Sequence, residues 1–396
     1  MIFGNHNSNT LEQFNNIKKN AQKTALMADG HLGYVMPIGG VAAYKHKISP
    51  AGVGFDIACG NMAIQLDEPF ANINLHWLLD QIESKISFGI GQTNPNAPCD
   101  HPLFSNDLWS AFPSSQIKSK MKDLAQKQLG TVGSGNHYVD IFEDDSGLTW
   151  IGVHFGSRGL GHHIASGFLS LAQTGQWNQP FKQIETLLDT TSDIGHRYLQ
   201  CMTLAGQYAY AGREWVCQTI QDIIGAKRLY QVHNHHNYAW LENHEGDDYY
   251  VIRKGATPAF PGQEGFVGGS MGDDSVIIQG VDSTASQKAL YSTIHGAGRV
   301  MSRTKAAGKS KWIKNKNGVK RPKHISTGAI SWDMLNQWLS KKNVLLRGGG
   351  LDEAPQAYRR LEDVLAFHHG TIKIKHHLYL KAVVMAGEHE FDPYKD

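Results

Sequence analysis

The chain has 396 residues, and 38 Lys and Arg against 36 Asp and Glu leave a formal charge of +2, so no global field marks it for a polyanion. Charged residues make up 19% and hydrophobic ones 41%, which excludes a disordered chain and leaves enough apolar side chain for a core without disulfides or a structural metal. Two counts are unusual, 42 glycines and 21 histidines, and they point to many tight turns and to metal or proton chemistry.

The opening residues, MIFGNHNSNTLEQFNNIKKNAQ, lack a charged start followed by an apolar core, so no secretory leader is expected. Residues 11–24 are polar with helical character. From Met27 to Ala63 the texture turns to short apolar runs punctuated by glycine, which predicts buried strands joined by tight turns. Residues 71–88 carry apolar positions at helical spacing. Residues 91–106, rich in Pro and Asn, read as a loop. An amphipathic helix over 114–128 runs into GTVGSGNHYVDIF, a turn and then a strand. TWIGVHFGSRGLGHHIA reads as strand, glycine turn and helix, and residues 180–224 as one long helical stretch. Strands follow in LYQVHNHH, DDYYVIRKG and SVIIQG. Segment 303–323 is a basic insertion, with nine Lys or Arg and no acidic residue. Helices are predicted over 331–342 and 353–368, and HLYLKAVVMAG closes the chain as a strand. Strands and helices alternate without a regular βαβ rhythm, which favours α+β over a doubly wound sheet. No run of 18 apolar residues exists, so a soluble, cytoplasmic protein is expected.

The chemistry-bearing residues sit in glycine. Asp56 and Cys59 lie in GFDIACG, Asn136 and His137 in GSGNHYVD, His154 in HFGSRG, His235, His236 and Asn237 in HNHHNY, and His295 in HGAGR. Carboxylate, thiolate and imidazole are the ligand types of Zn, Mn, Fe or Co. One Cys with several His and an Asp is not the closed four-ligand pattern of structural zinc. It suits a catalytic site with open positions, with one metal or two bridged by the thiolate. The remaining cysteines, Cys99, Cys201 and Cys217, show no metal spacing and no disulfide framework. GSRGLG, GGSMGDDS and HGAGR add backbone amides, hydroxyls and arginines suited to phosphate, among them Arg158, Ser270, Ser275 and Arg299. The basic segment, with Trp312 at its middle, suits a nucleic-acid backbone through counterion release; the plainer alternative is a solvated loop.

Together these motifs resemble the RtcB RNA ligases. The likeness rests on DGHLGYVMPIGG, GFDIACGNMA, GTVGSGNHYVD, VHFGSRGLGH, HHNYAW, RKGATPA, GGSMGDDS, HGAGRVMSR and DEAPQAY, which occur in family order between residues 29 and 358. The resemblance implies one α+β domain over residues 1–396 with packed sheets at its core. It implies an enzyme that uses GTP and manganese, as a pair of ions, to join RNA 3′-phosphate or 2′,3′-cyclic phosphate ends to 5′-hydroxyl ends in tRNA splicing or RNA repair. A GMP–histidine intermediate and an activated RNA–ppG end are expected, with an activating protein as a further partner. By the same resemblance, His295 takes GMP and Asp29 orients it. Asp56, Cys59, His137, His154 and His236 hold manganese; His235 could compete with His236. Asn136 and Asn237 hold GTP phosphates. Ser270, Ser275, Gly296, Ala297, Gly298, Arg299 and Tyr358 line the guanylate pocket, and Arg158 meets RNA or phosphate. Two departures stand out: Asp140 replaces the family's Glu, and Ala386 its Lys, so GTP use is expected to be weaker unless Lys381 or a partner fills the gap. The rival readings are a dinuclear metal-dependent RNA phosphoesterase and a homologue that binds RNA ends without joining them.

Overall fold

The computed structural model describes residues 1–314 and 320–388. Its larger sheet has eight strands. Seven run in the order Glu264–Val267, Ser275–Gly280, Ile372–Gly387, Tyr138–Asp144, Leu148–Phe155, Gly60–Pro69 and Arg228–His235, all antiparallel. Leu345–Gly349 pairs in parallel with Ile372–Gly387. The sheet curls until its first and last strands approach each other. There Asn234 Oδ1 accepts the Phe266 N–H at 3.0 Å, and Asn61 Nδ2 donates to the Phe266 carbonyl at 2.8 Å. Side-chain amides thus continue a barrel-like wall where the backbone ladder stops.

Successive side chains on a strand point to opposite faces, and that alternation divides the core. Val139, Ile141, Ile151 and Val153 pack with residues of the helices Leu75–Lys85 and Asp193–Ile224. Phe142, Trp150, Phe266 and Ile277 fill the opposite face. A second antiparallel sheet has the order Lys23–His31, Ile38–Tyr44, Asp247–Lys254 and Asn237–His244. One face, with Ala42, Tyr44 and Ile252, packs on the helices Arg158–Thr174 and Asp193–Ile224. The other, with Val41, Ala43 and Val251, packs on Val276 and Ile278 of the larger sheet. Each fully buried Val or Ile contributes roughly 1.5–3 kcal/mol of transfer free energy. The mixed architecture agrees with the α+β expectation.

Several element boundaries differ from the sequence expectation. The first helix is Ser8–Lys18, and a strand already begins at Lys23. The helix expected over 180–224 spans Asp193–Ile224; Ser192 caps it by accepting the Gly195 N–H, and Gly225, at φ +80°, ends it in the left-handed region. Residues 353–368 do not form one helix. Pro355 lacks an N–H, and the segment breaks into two 3₁₀ turns and a short helix, Leu361–Ala366. The basic segment opens with the short helix Arg303–Ala307 and continues as two paired strands, Ser310–Lys314 and Lys320–His324. Lys316 falls outside the described residues.

The registers explain how distant motifs meet. Asn61 pairs with His154, Tyr138 with His154, and Gly60 with Phe155 and His235. The residues at or next to those strand ends, Cys59, His137, His154 and His236, therefore share one end of the larger sheet.

Candidate metal and nucleotidyl-transfer centre

Asp56 and Cys59 occupy the turn that leads into the Gly60–Pro69 strand. Ala58 takes φ +60° there, and its N–H donates to the Asn237 carbonyl at 2.7 Å. The Cys59 N–H returns to the Asp56 carbonyl at 3.1 Å. This tight turn points both side chains at His137. His137 Nε2 lies 3.1 Å from Asp56 Oδ2 and 3.7 Å from Cys59 Sγ. On the other side of the sulfur, His154 Nε2 lies at 3.5 Å. His236 completes the group, its ring 5.0 Å from that of His154. Two overlapping sets result: Asp56, Cys59 and His137, and Cys59, His154 and His236, each with candidate ligand atoms within 4.8 Å of one another. Cys59 belongs to both.

The rings are aimed by their other nitrogens. His137 Nδ1 bonds the Val132 carbonyl at 3.0 Å, and His154 Nδ1 bonds Asn61 Oδ1 at 2.5 Å. Both Nε2 atoms thereby face the cluster, in the way outer hydrogen bonds orient ligating histidines. Burial holds His154 and His236 well below the ordinary histidine range, so both are neutral imidazoles. Burial alone would raise the Asp56 carboxyl, but the hydrogen bond from His137 outweighs it and holds Asp56 at about 2. Burial, with Asp56 alongside, pushes the Cys59 thiol up. His236 Nδ1 is buried with no hydrogen-bond partner. Two N/O/S donor sets sharing a sulfur, together with that orphaned ring nitrogen, fit a divalent metal pair. His235, the competitor, is turned away, with its Nδ1 2.9 Å from Arg213 Nη2.

His295 stands beside this cluster, its ring 4.9 Å from that of His236. Its Nδ1 lies 2.6 Å from Asp29 Oδ2, and the same oxygen accepts the His295 N–H at 3.0 Å. Asp29 is fully buried. Burial would raise its carboxyl, but the contacts with His295 prevail and lower it. The pair leaves His295 Nε2 directed away from Asp29. Gly255, at φ +59°, closes over the ring: a Cβ there would lie 3.1 Å from His295 Cε1 and collide with Ile38. Gly156 makes similar room for the Asp56 carboxylate, which a Cβ would overlap.

A cavity of about 1030 Å³ takes in both groups. It is lined by Asp56, Cys59, Asn136, His137, His154, His236 and His295, and also by Asp140, Asn237, Ser270, the Gly296–Gly298 loop, Arg299 and Tyr358. Several residues expected to hold phosphate are spent on the protein itself. Asn237 accepts the Gly255 N–H at 2.7 Å and donates to the Asp56 carbonyl at 3.4 Å. Ser270 donates to Asp273 at 2.6 Å, and Ser275 accepts the Gly269 N–H at 3.0 Å. Arg299 bonds Glu353 and Tyr358 Oη at 2.9 and 2.8 Å and the Asp352 and Met301 carbonyls at 2.6 and 3.1 Å. These residues brace the loops. Arg158 does not line the cavity; it sits behind His137, with Nη1 3.3 Å from His137 Nδ1.

Asp140 is buried, and burial alone raises its carboxyl well above the usual range. Its Oδ1 has no hydrogen-bond partner. Lys381 does not make good the absence of lysine at Ala386. It pairs with Glu143 at 2.7 Å and is not on the cavity wall.

Two residues escaped the sequence reading. Lys254 lines the cavity; it is buried, donates to the Ala51 carbonyl at 3.2 Å, and burial lowers it to about 7. Its place in RKGATPA was the available signal. Arg213, at the middle of the Asp193–Ile224 helix, lies beneath the cluster, fully buried. It donates to the Ala58 carbonyl at 3.0 Å, the Phe155 carbonyl at 2.5 Å, His233 Nε2 at 2.9 Å and His235 Nδ1 at 2.9 Å. The segments carrying Cys59, His154 and His236 are tied to one guanidinium.

Comparison with known proteins places this arrangement. The family model described as tRNA-splicing ligase RtcB matches residues 10–104 and 96–386. The RNA-splicing ligase RtcB of Escherichia coli K12 is 29% identical over 379 residues, covering 88% of this chain and 86% of the relative. The tRNA-splicing ligase RtcB of Thermococcus kodakarensis is 29% identical over 446 residues, covering 91% and 87%. The RNA-splicing ligase RtcB homolog 1 of Entamoeba histolytica is 30% identical over 423 residues, covering 87% and 76%. With a family match over nearly the whole length and the site motifs gathered around one cavity, the chain belongs to the RtcB family.

Proposed function

We propose that the protein is an RNA ligase that joins 3′-phosphate or 2′,3′-cyclic phosphate ends to 5′-hydroxyl ends, using GTP and a GMP adduct on His295. The observation that carries this reading is the His295–Asp29 pair. A histidine held at 2.6 Å by a fully buried carboxylate stands outside both metal-ligand sets yet in the same cavity. A phosphoesterase working through two metals needs no such residue.

Asp29 fixes the imidazole so that Nε2 presents its lone pair to the α-phosphorus of GTP. The Nε2–P bond forms as pyrophosphate leaves. The RNA 3′-phosphate then displaces His295 from the GMP, and the 5′-hydroxyl of the second end attacks the activated phosphate with loss of GMP. A cyclic end is first opened to the 3′-phosphate. Asp56, Cys59, His137, His154 and His236 would hold manganese, which supplies neutralisation of phosphate charge. Asn136 and Lys254 face the cavity where triphosphate or RNA phosphate would lie. The basic segment at 303–323 would add RNA affinity through counterion release. A 3′-phosphate RNA and a 5′-hydroxyl RNA, incubated with GTP and Mn²⁺, should give a joined product that His295→Ala abolishes. Cleavage or end trimming without joining, unaffected by His295→Ala, would favour the phosphoesterase instead.

A further inference from the structure

We infer that Leu32, Tyr34 and Val300 form a stacking platform for the 3′-terminal base of the RNA, a subsite that rests on the ligase reading above. All three are exposed, at 54%, 49% and 52%, although all three line the cavity that contains His295 and the ligand clusters. Large apolar side chains in water gain no burial energy, and a fixed apolar rim on a polar cavity is a mark of a binding surface.

The rim is held in place. Tyr34 lies in the connection between the Lys23–His31 and Ile38–Tyr44 strands. Gln13, on the first helix, clamps that connection: its Oε1 accepts the Gly33 N–H at 3.0 Å, and its Nε2 donates to the Gly33 carbonyl at 2.8 Å and to the Tyr34 carbonyl. The Tyr34 ring meets Phe55 at 73° with centroids 5.4 Å apart, and Phe55 is stacked on Phe181. The Val300 N–H donates to the Ala357 carbonyl at 2.9 Å, next to the braced Arg299. A pre-ordered ring of this kind loses little entropy on stacking.

The polar neighbours of the Tyr34 ring on the wall are the amides of Gln13 and Gln183 and the ammonium of Lys182, and it is the ring's π-face that receives a base rather than a phosphate. Every base has a π-face, so stacking tolerates sequence, which suits an enzyme that must accept varied ends. Leu32 and Tyr34 follow Asp29, and Val300 follows His295, by only three to five residues, which ties both sides of the rim to the His295 pair. Of the two RNA ends, the 3′ end must stay bound through both its activation and its joining, so it is the one that gains from this grip.

The test is GMP transfer to a 3′-phosphate RNA with no 5′-hydroxyl partner present, a step that uses the 3′ end alone. Tyr34→Ala should raise the RNA concentration for half-maximal transfer about 5- to 150-fold, the range of one lost base–aromatic stack. Tyr34→Phe should stay within about twofold of wild type, because the ring is kept. An RNA whose 3′-terminal nucleotide is abasic should erase the difference between wild type and Tyr34→Ala. Labelling of His295 by GTP without RNA should be the same in all variants. Equal RNA dependence of wild type and Tyr34→Ala would overturn the proposal, as would a defect seen only at the joining step and only when the 5′-terminal nucleotide carries its base. If wild type forms no GMP adduct, the ligase reading fails. Fluorescence anisotropy with the 3′-phosphate RNA, with and without its terminal base, then decides the platform separately: base-dependent binding lost in Tyr34→Ala supports it, and base-independent binding overturns it.

Discussion

Replacing Arg213 by methionine probes how the metal-ligand segments are held. The guanidinium is fully buried and makes four hydrogen bonds, at 2.5 to 3.0 Å, to the carbonyls of Ala58 and Phe155 and to the rings of His233 and His235. Methionine fills similar volume but donates nothing. A hydrogen bond from a charged donor contributes about 1.5–3 kcal/mol, and the four are coupled, so their loss does not add in full. Part is offset because the cost of burying the charge disappears. A net loss of about 3–5 kcal/mol of stability follows, within the range for a broken buried polar network. The larger effect falls on the metal: outer-shell losses typically weaken binding by about 10- to 100-fold. Titration with Co²⁺, followed through its d–d and thiolate charge-transfer absorption, reads affinity and geometry without reference to activity. Arg213→Lys, which keeps the charge but not the fork, should recover the global stability in part and the metal affinity little. Wild-type Co²⁺ affinity and spectrum in a folded Arg213→Met would refute the reasoning.

Cys59→Ser should remove the thiolate charge-transfer band and lower the metal content, whereas Cys201→Ser, buried between helices away from the cluster, should change neither; elemental analysis and absorption check both. His368 is fully buried, stacks on Phe3, accepts the Ala28 N–H at 3.3 Å through Nε2, and is lowered by burial to about 4. An imidazole depressed in the fold gains protons on unfolding, so its stabilisation is present above the unfolded value near 6.5 and falls away towards pH 4, by about 3 kcal/mol. Denaturant titrations over that window should show a shallower acid slope for His368→Gln than for wild type. Asp140→Glu should lower the GTP concentration needed to label His295 by about tenfold or more, the worth of one charged hydrogen bond, and sharpen preference for GTP over ATP; labelling over a concentration series of each nucleotide measures it.

The ligand set was legible because its members are turn residues with characteristic chemistry set in glycine. Gly255 and Gly156 are required by crowding against His295 and Asp56, so the flanking glycines and the reactive side chains report the same site. The strands carrying them were legible from short apolar runs. The choice between His235 and His236 needed three dimensions, since only the structure shows Arg213 taking the first. Arg213 itself was hidden: in the middle of a long amphipathic helix, an arginine reads as a solvated one, and nothing local records that its face meets the ends of two strands. Arg299, Ser270 and Ser275 show the opposite failure. Their chemistry suits phosphate, but Glu353, Asp273 and the Gly269 N–H already occupy them. The helix expected over 353–368 does not form as one element, because Pro355 interrupts the backbone ladder whatever the apolar spacing around it.

The central claim is a phosphorus–nitrogen bond on one named atom. Wild-type protein incubated with GTP and Mn²⁺, digested at alkaline pH to preserve an acid-labile adduct, and mapped by mass spectrometry should carry the mass of GMP on the peptide containing His295. Asp29→Ala should form the adduct about 10- to 150-fold more slowly, as loss of one charged hydrogen bond implies, and His295→Ala should form none. A GMP adduct on any other residue, or RNA joining by His295→Ala at the wild-type rate, would contradict the account.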